Sequence, residues 1–269
     1  LNKKTLGTLD AAIVDKLMRT IKAVRAEMDK YHFSQASSIL YNFVYDDFCS
    51  SYLEMSKVSL AKEGAEKEVT KDVLYRVMKD IILMIYPYTP FVTEEMYLSL
   101  PCHKESIMDE LYPEYDRSFL NKKAVEKLMV LEGMIKDIRN YKSTNGMAPN
   151  AKVRLIVAPS EPFEGFGEYL KRFTFASSYE VKEGNLGGSS FLYPGYELMV
   201  EEDVDPAVLK EKLLKDEKAL EFEIARSEKM LSNPGFVAKA PKEKIELETA
   251  KLEKNKALLE SVKSKLASL

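Results

Sequence analysis

Leu231-Ser-Asn-Pro-Gly-Phe-Val-Ala-Lys-Ala-Pro241 separates two lysine-rich stretches that each carry apolar residues at helical spacing. Before it, Leu213, Leu220 and Ile224 fall at intervals of seven and four; after it, Ile245, Leu252, Leu259 and Leu266 repeat every seven residues, with Val262 and Leu269 at intermediate positions. A seven-residue repeat is a coiled-coil seam, and a short Pro/Gly turn lets two helices fold back as an antiparallel hairpin. Asp205-Pro206 opens the first limb, because proline suits a helix's first turn. Residues 205–269 therefore read as an arm whose limbs of about 25 residues reach on the order of 35 Å. The arm carries 14 Lys+Arg against 12 Asp+Glu, a net +2, and the rest carries 26 against 31, a net −5. A locally basic arm on an acidic body hints at a polyanionic partner.

Working outward, the body reads as helical over its first 150 residues. Ile13, Leu17, Ile21, Val24 and Met28 make one stripe over 9–30. Ser34 offers an N-cap for a second helix to about Lys57, bearing Ile39, Leu40, Phe43, Val44, Phe48, Tyr52 and Met55. The Glu/Lys-rich stretch 61–68 with Gly64 breaks the pattern. Val73, Leu74, Val77, Met78, Ile81, Ile82 and Ile85 mark a third helix, ended by Pro87 and Pro90. Thr93-Glu-Glu opens a short fourth helix, and 122–143 form a fifth that buries Leu128, Leu131, Ile135 and Ile138, with Asn145-Gly146 as its C-cap signal. The texture then changes: Val153–Ala158, Thr174–Val181, Ser190–Tyr193 and Tyr196–Val200 read as strands, with a helix possible over 163–173. The fold class is mainly α: a helical bundle at 1–150, a small α/β module at 151–204 and the coiled-coil hairpin at 205–269. A module of about 50 residues is too small to be very stable alone and is expected to lean on the helices beside it.

Composition excludes several classes. Two cysteines, Cys49 and Cys102, make neither a disulfide framework nor a metal cluster, and read as reduced thiols of a cytosolic protein. No apolar run approaches the roughly 18 residues that span a membrane. The start, Leu1-Asn-Lys-Lys-Thr, has neither an initiator Met nor a signal region, so the chain is expected to be a piece whose upstream part is absent. The two histidines, His32 and His103, lack ligand-like spacing, and there is no P-loop or dinucleotide fingerprint. Met55-Ser56-Lys57 matches an ATP-binding signature only superficially, since it lies inside an amphipathic helix and Glu54 stands where a Lys would be needed. No catalytic residue, metal or cofactor is expected in this chain.

What remains is surface for binding. Phe48, Tyr52, Leu53 and Glu54 cluster near the end of the second helix, and Arg139 and Lys142 near the end of the fifth. An aromatic can stack an unpaired base, a carboxylate can read its edge, and cations beside them can hold phosphates. Phe48 and Tyr52 share the helical stripe, so burial in the core is an equal reading for both. On the arm, Arg226, Lys229, Lys239, Lys242, Lys244 and Lys251 surround the turn, and the competing reading is a solvated face balanced by Glu221, Glu223, Glu228 and Glu248. Arg226 is the arm's one arginine, suited to base stacking and bidentate phosphate contact.

The chain resembles the C-terminal part of the valyl-tRNA synthetases over nearly its whole length. Tyr31-His-Phe-Ser-Gln-Ala36 through Phe48-Cys-Ser-Ser-Tyr-Leu-Glu54 resembles the family's anticodon-domain segment, Tyr86-Pro-Tyr-Thr-Pro-Phe-Val-Thr-Glu-Glu95 is similar to a motif shared by the valine, isoleucine and leucine enzymes, and Pro113-Glu-Tyr115 and Ile138-Arg139 through Pro149 fit as well; these alone leave the amino acid undecided. The Leu231–Pro241 turn resembles the valine enzymes specifically. The resemblance implies a bundle that holds the anticodon loop and an arm that packs on the outer corner of a valine-specific tRNA. On the anticodon side it implies Phe48, Leu53, Glu54, Arg139 and Lys142; on the elbow side, Arg226, Lys229, Lys239 and Lys251, the last where the family often has Arg. It further implies a cytoplasmic, monomeric ligase whose ATP- and magnesium-dependent catalytic domain, like its editing domain, is absent here, leaving this piece inactive alone. The alternatives are a helical protein-interaction module, or the equivalent region of an isoleucyl- or leucyl-tRNA synthetase.

Overall fold

The computed structural model describes residues 1–160, 166–184, 186, 190–202, 206–232 and 242–267, in two compact units, Leu1–Glu201 and Glu202–Leu269. The first unit is built on α1 (Thr8–Met28), whose stripe Ile13, Leu17, Ile21 and Val24 is fully buried. One helical run follows: α2 (Phe33–Asn42), a π-helical segment Phe43–Tyr52 and α3 (Leu53–Leu60). The π-helical stretch turns Phe43, Phe48 and Tyr52 inward together. Then come α4 (Ala65–Ile85), α5 (Pro90–Leu98) and α6 (Lys122–Thr144). Pro90 begins α5 rather than ending the helix before it, because a missing N–H costs nothing in a first turn. The Asn121 side chain caps α6 by accepting from the Ala124 N–H at 3.1 Å. Its other end closes as expected from Asn145-Gly146: Gly146 takes φ +66°, and the Met147 and Gly146 N–H groups donate to the carbonyls of Lys142 and Ser143.

The chain then enters a four-stranded sheet of order β2-β1-β4-β3, with β1 Val153–Pro159, β2 Ala176–Val181, β3 Ser190–Tyr193 and β4 Tyr196–Glu202. β1 and β2 pair in parallel, and α7 (Phe166–Thr174) is the crossover between them; β3 and β4 form an antiparallel hairpin. The expected strand from Thr174 starts two residues late. Thr174 closes α7 and Phe175 reverses the chain at φ +56° before β2 begins. Val153, Leu155, Val157, Leu170 and Leu198 are buried in one continuous core with the helices of the bundle, so the sheet does lean on them.

The second unit is a hairpin of α8 (Pro206–Leu231) and α9 (Lys242–Ala267). Leu213 and Ile224 are buried in the seam, and Leu220, Ile245, Leu252, Leu259, Val262 and Leu266 are half-buried. The limbs run antiparallel: Ser227 meets Glu248 near the turn, while Lys263 reaches Glu217 and Glu221 further along. The Asn-Pro-Gly-Phe turn and Lys239 lie outside the described residues, as does Leu269. Among the described residues no helix is long and apolar enough to cross a membrane.

Candidate nucleic-acid interface

In the first unit, the end of the π-helical segment, α6 and α7 enclose an open groove of about 620 Å³. Ser50, Ser51 and Glu54 line one side; Glu132, Lys136, Arg139 and Asn140 line α6; Arg172, Phe173 and Phe175 line the third. Lys136, Arg139 and Asn140 share a wall because residues three and four apart lie on one helix face. Arg139 donates through Nη2 to the Phe173 carbonyl at 3.2 Å, which ties α6 to the end of α7. Glu54 is exposed and holds Lys57 at 2.5 Å. Leu53, half-buried, sits beside it. The structure thus brings Glu54 and Arg139 together across 85 residues of sequence and adds Phe175, Arg172 and Lys136, which the sequence reading missed. The signal for Phe175 was an Arg172-Phe-Thr-Phe175 run, hidden by assigning its second half to a strand.

Two expected contacts are corrected. Phe48 is 2% exposed and stacks on Tyr52 at 6.3 Å, so its ring is core and cannot meet a base. Tyr52, equally buried, donates its hydroxyl to Asp10 at 2.5 Å. Lys142 is also 2% exposed. Its ammonium donates to the carbonyls of Pro149 (3.2 Å), Ala151 (2.7 Å) and Thr174. Burial first, then the charges of Lys152 and Arg139, lower its pKa below the ordinary lysine value. Lys142 therefore holds protein backbone, and its charge is spent inside the fold. Met55 and Ser56 are buried in α3, with the Ser56 hydroxyl donating to the Leu53 carbonyl at 2.9 Å, so Met55-Ser56-Lys57 does not fit an ATP loop.

On the arm, Arg226 and Lys251 come from different limbs and meet on one carboxylate. Lys251 Nζ lies 2.8 Å and Arg226 Nη1 3.6 Å from Glu223, and both cations remain about half exposed. The Lys251 hydrogen bond, more than any other contact, holds the Glu223 carboxyl below its usual range. Lys229 is exposed on the last turn of α8. Ser227 is fully buried in the seam and donates to Glu248 at 2.6 Å, a polar pair that fixes how the limbs align. The result is a rod with a mixed-sign surface, whose cations near the turn are held in place and still open to solvent.

A family profile described as the anticodon-binding domain of tRNA ligase matches residues 10–157, and one described as the valyl tRNA synthetase tRNA binding arm matches residues 203–269. Similar curated proteins are valine–tRNA ligases. That of Mesoplasma florum is 32% identical over 99% of this chain, that of Clostridium perfringens 32% over 97%, and that of Thermotoga maritima 31% over 99%. The chain spans 31% of the length of each of the three. By the breadth of these matches, the chain belongs to the tRNA-ligase anticodon-binding domain family, in the form that continues into the tRNA-binding arm of the valyl-tRNA synthetases.

Proposed function

We propose that this chain is the tRNA-holding part of a valine–tRNA ligase, gripping a valine-specific tRNA by its anticodon loop and its outer corner. The observation that carries the reading is the pairing of two binding surfaces on one chain. One is a groove where Glu54, Arg139, Arg172 and Phe175 converge; the other is a hairpin arm with Arg226 and Lys251 gathered on Glu223. A carboxylate, cations and an exposed aromatic suit the unstacked bases of a loop. Cations fixed along a rod suit the phosphates of a folded RNA's bend. In this reading Leu53, Glu54 and Arg139 serve the anticodon side, and Arg226, Lys229 and Lys251 serve the elbow.

The activation of valine with ATP and magnesium then belongs to the part of the ligase this chain does not span. The contribution of this part is positional: holding both ends of a tRNA places the 3′ end for a reaction elsewhere. The whole protein would be a cytoplasmic monomer.

A filter-binding salt titration with valine tRNA tests the reading. Retention that falls steeply between low and moderate salt is the expected result. No retention at any salt, with circular dichroism showing intact helices, would leave a protein-interaction module in its place. Nuclease footprinting should show both the loop and the bend protected.

Two charge changes on the arm are expected to act in opposite directions. Arg226→Glu should weaken binding whatever the anticodon sequence and make the log–log salt slope shallower by about one. An unchanged dissociation constant would rule out the elbow contact. Glu223→Gln removes the carboxylate that Lys251 and Arg226 share and should tighten binding at low salt; equal or weaker binding would mean that those cations do not face RNA.

A further inference from the structure

We propose that Phe175 is the groove's base-stacking residue, its ring packing on an unpaired base of the bound tRNA; the assignment rests on the tRNA reading above and goes beyond it in naming the side chain.

The backbone is the first argument. Phe175 is one of two non-glycine residues with positive φ among the described residues, at +56°. A bulky side chain rarely adopts this conformation, and it persists only where the surroundings over-determine it. Those surroundings are visible. Thr174 and Ala176 on either side are buried. The Thr174 carbonyl accepts from the Lys142 ammonium, and the Thr174 hydroxyl donates to the Leu170 carbonyl at 2.6 Å. The chain is pinned on both flanks, and the residue between is turned out. Lys142 Nζ also lies 5.8 Å from the centroid of the Phe175 ring, a distance at which a buried cation attracts the ring.

The exposure of Phe175 points the same way. Phe175 is 47% exposed in a groove where Arg172 shares its wall and Arg139 and Lys136 stand on the wall of α6. A lone exposed apolar residue needs no explanation. A rigidly presented ring among guanidinium and ammonium groups is the arrangement that binds single-stranded nucleic acid, since the ring takes a base face while the cations take the phosphates. A protein partner would be expected to meet a drier, less charged surround. Glu54 is paired with Lys57, and Glu132, which accepts from the Ser51 hydroxyl, is outnumbered by Lys136, Arg139 and Arg172, so the groove's sign is positive.

The chain contains no tryptophan, so Phe175→Trp installs a single indole at the proposed contact. With the full chain carrying this change, valine tRNA is expected to quench the indole emission. The same tRNA with its anticodon loop replaced by a short stable tetraloop should leave the emission bright. Phe175→Leu, which keeps apolar bulk without a π-face, should weaken tRNA binding about tenfold, while Phe175→Tyr stays near the parent value. Full-affinity binding with unquenched emission, or a Phe175→Leu chain that binds as well as the parent, would overturn the stacking role and leave the tRNA reading standing. Failure of the unaltered chain to retain tRNA at low salt would remove both.

Discussion

Asp10→Ala is expected to lower the unfolding free energy by about 3 kcal/mol, because it strands two buried hydroxyls at once. Tyr52 donates to one Asp10 oxygen at 2.5 Å and Thr70 donates to the other at 3.1 Å. All three residues are buried, and they come from α1, the π-helical segment and α4. Each hydroxyl left without an acceptor costs about 1–3 kcal/mol. Relief of the buried carboxylate's desolvation offsets part of that sum of about 2–6 kcal/mol, which is why the expected loss falls in its lower half. Urea denaturation monitored by circular dichroism measures it, and a loss below about 1 kcal/mol would mean that water replaces the carboxylate.

The same carboxyl has a pH signature. Burial raises its pKa above the ordinary 3.8, against the lowering effect of the Tyr52 and Thr70 hydrogen bonds. The folded chain therefore holds this proton more tightly than the unfolded chain. The group's stabilising share is fully present below 3.8 and is lost as pH rises through the folded value. Asp10→Asn cannot titrate, so the parent's stability relative to it should improve as pH falls from 7 toward 4. Carboxylates with the opposite shift, such as Glu110, whose pKa is lowered chiefly by its hydrogen bond from Lys79, are common to both proteins and cancel. A difference that stays constant with pH would contradict the argument.

Lys142→Met is expected to cost about 2–4 kcal/mol, although it removes a charge from the interior. Burial without a facing carboxylate makes the ammonium expensive, as its lowered pKa shows. The carbonyls of Pro149, Ala151 and Thr174 nonetheless take its protons. Methionine fills a similar volume and donates nothing, so three acceptors lose a partner together. Their combined cost exceeds the relief of one desolvated ammonium. Urea denaturation tests the magnitude. A neutral or stabilising Lys142→Met would show that the carbonyls find water or other donors, and that the lysine is dispensable to the turn at Phe175.

The apolar spacings of 9–30, 34–57, 122–143 and 213–266 specify helices and their inward faces from the sequence alone. A helix places residues three and four apart on one side whatever surrounds it. The pairing of the last two helices into a hairpin was legible for the same reason, and so was the closure of α6 at Gly146. The candidate site was legible only in part. Arg226 and Lys251 are named together from the sequence, with Glu223 as one of four carboxylates that could balance the arm's cations; that both meet on Glu223 was not legible. Glu54 and Arg139 are grouped on the anticodon side only through the family resemblance, and nothing local in the sequence says that they face one groove.

Only the tertiary structure decided the exposure of Lys142 and Phe175. Lys142, a charged residue near a helix end, reads as a surface cation. It is buried because carbonyls from the 149–151 turn and from the end of α7, up to 32 residues away, converge on its ammonium. Phe175 falls in a stretch that reads as a strand, where nothing in the sequence marks it as exposed. It is exposed because those same contacts pin the chain beside it in a left-handed turn. Periodicity is a property of neighbours along the chain, so the sequence determined the helices, the hairpin and the family likeness. Exposure depends on distant partners, and packing exchanged the roles of a lysine and a phenylalanine.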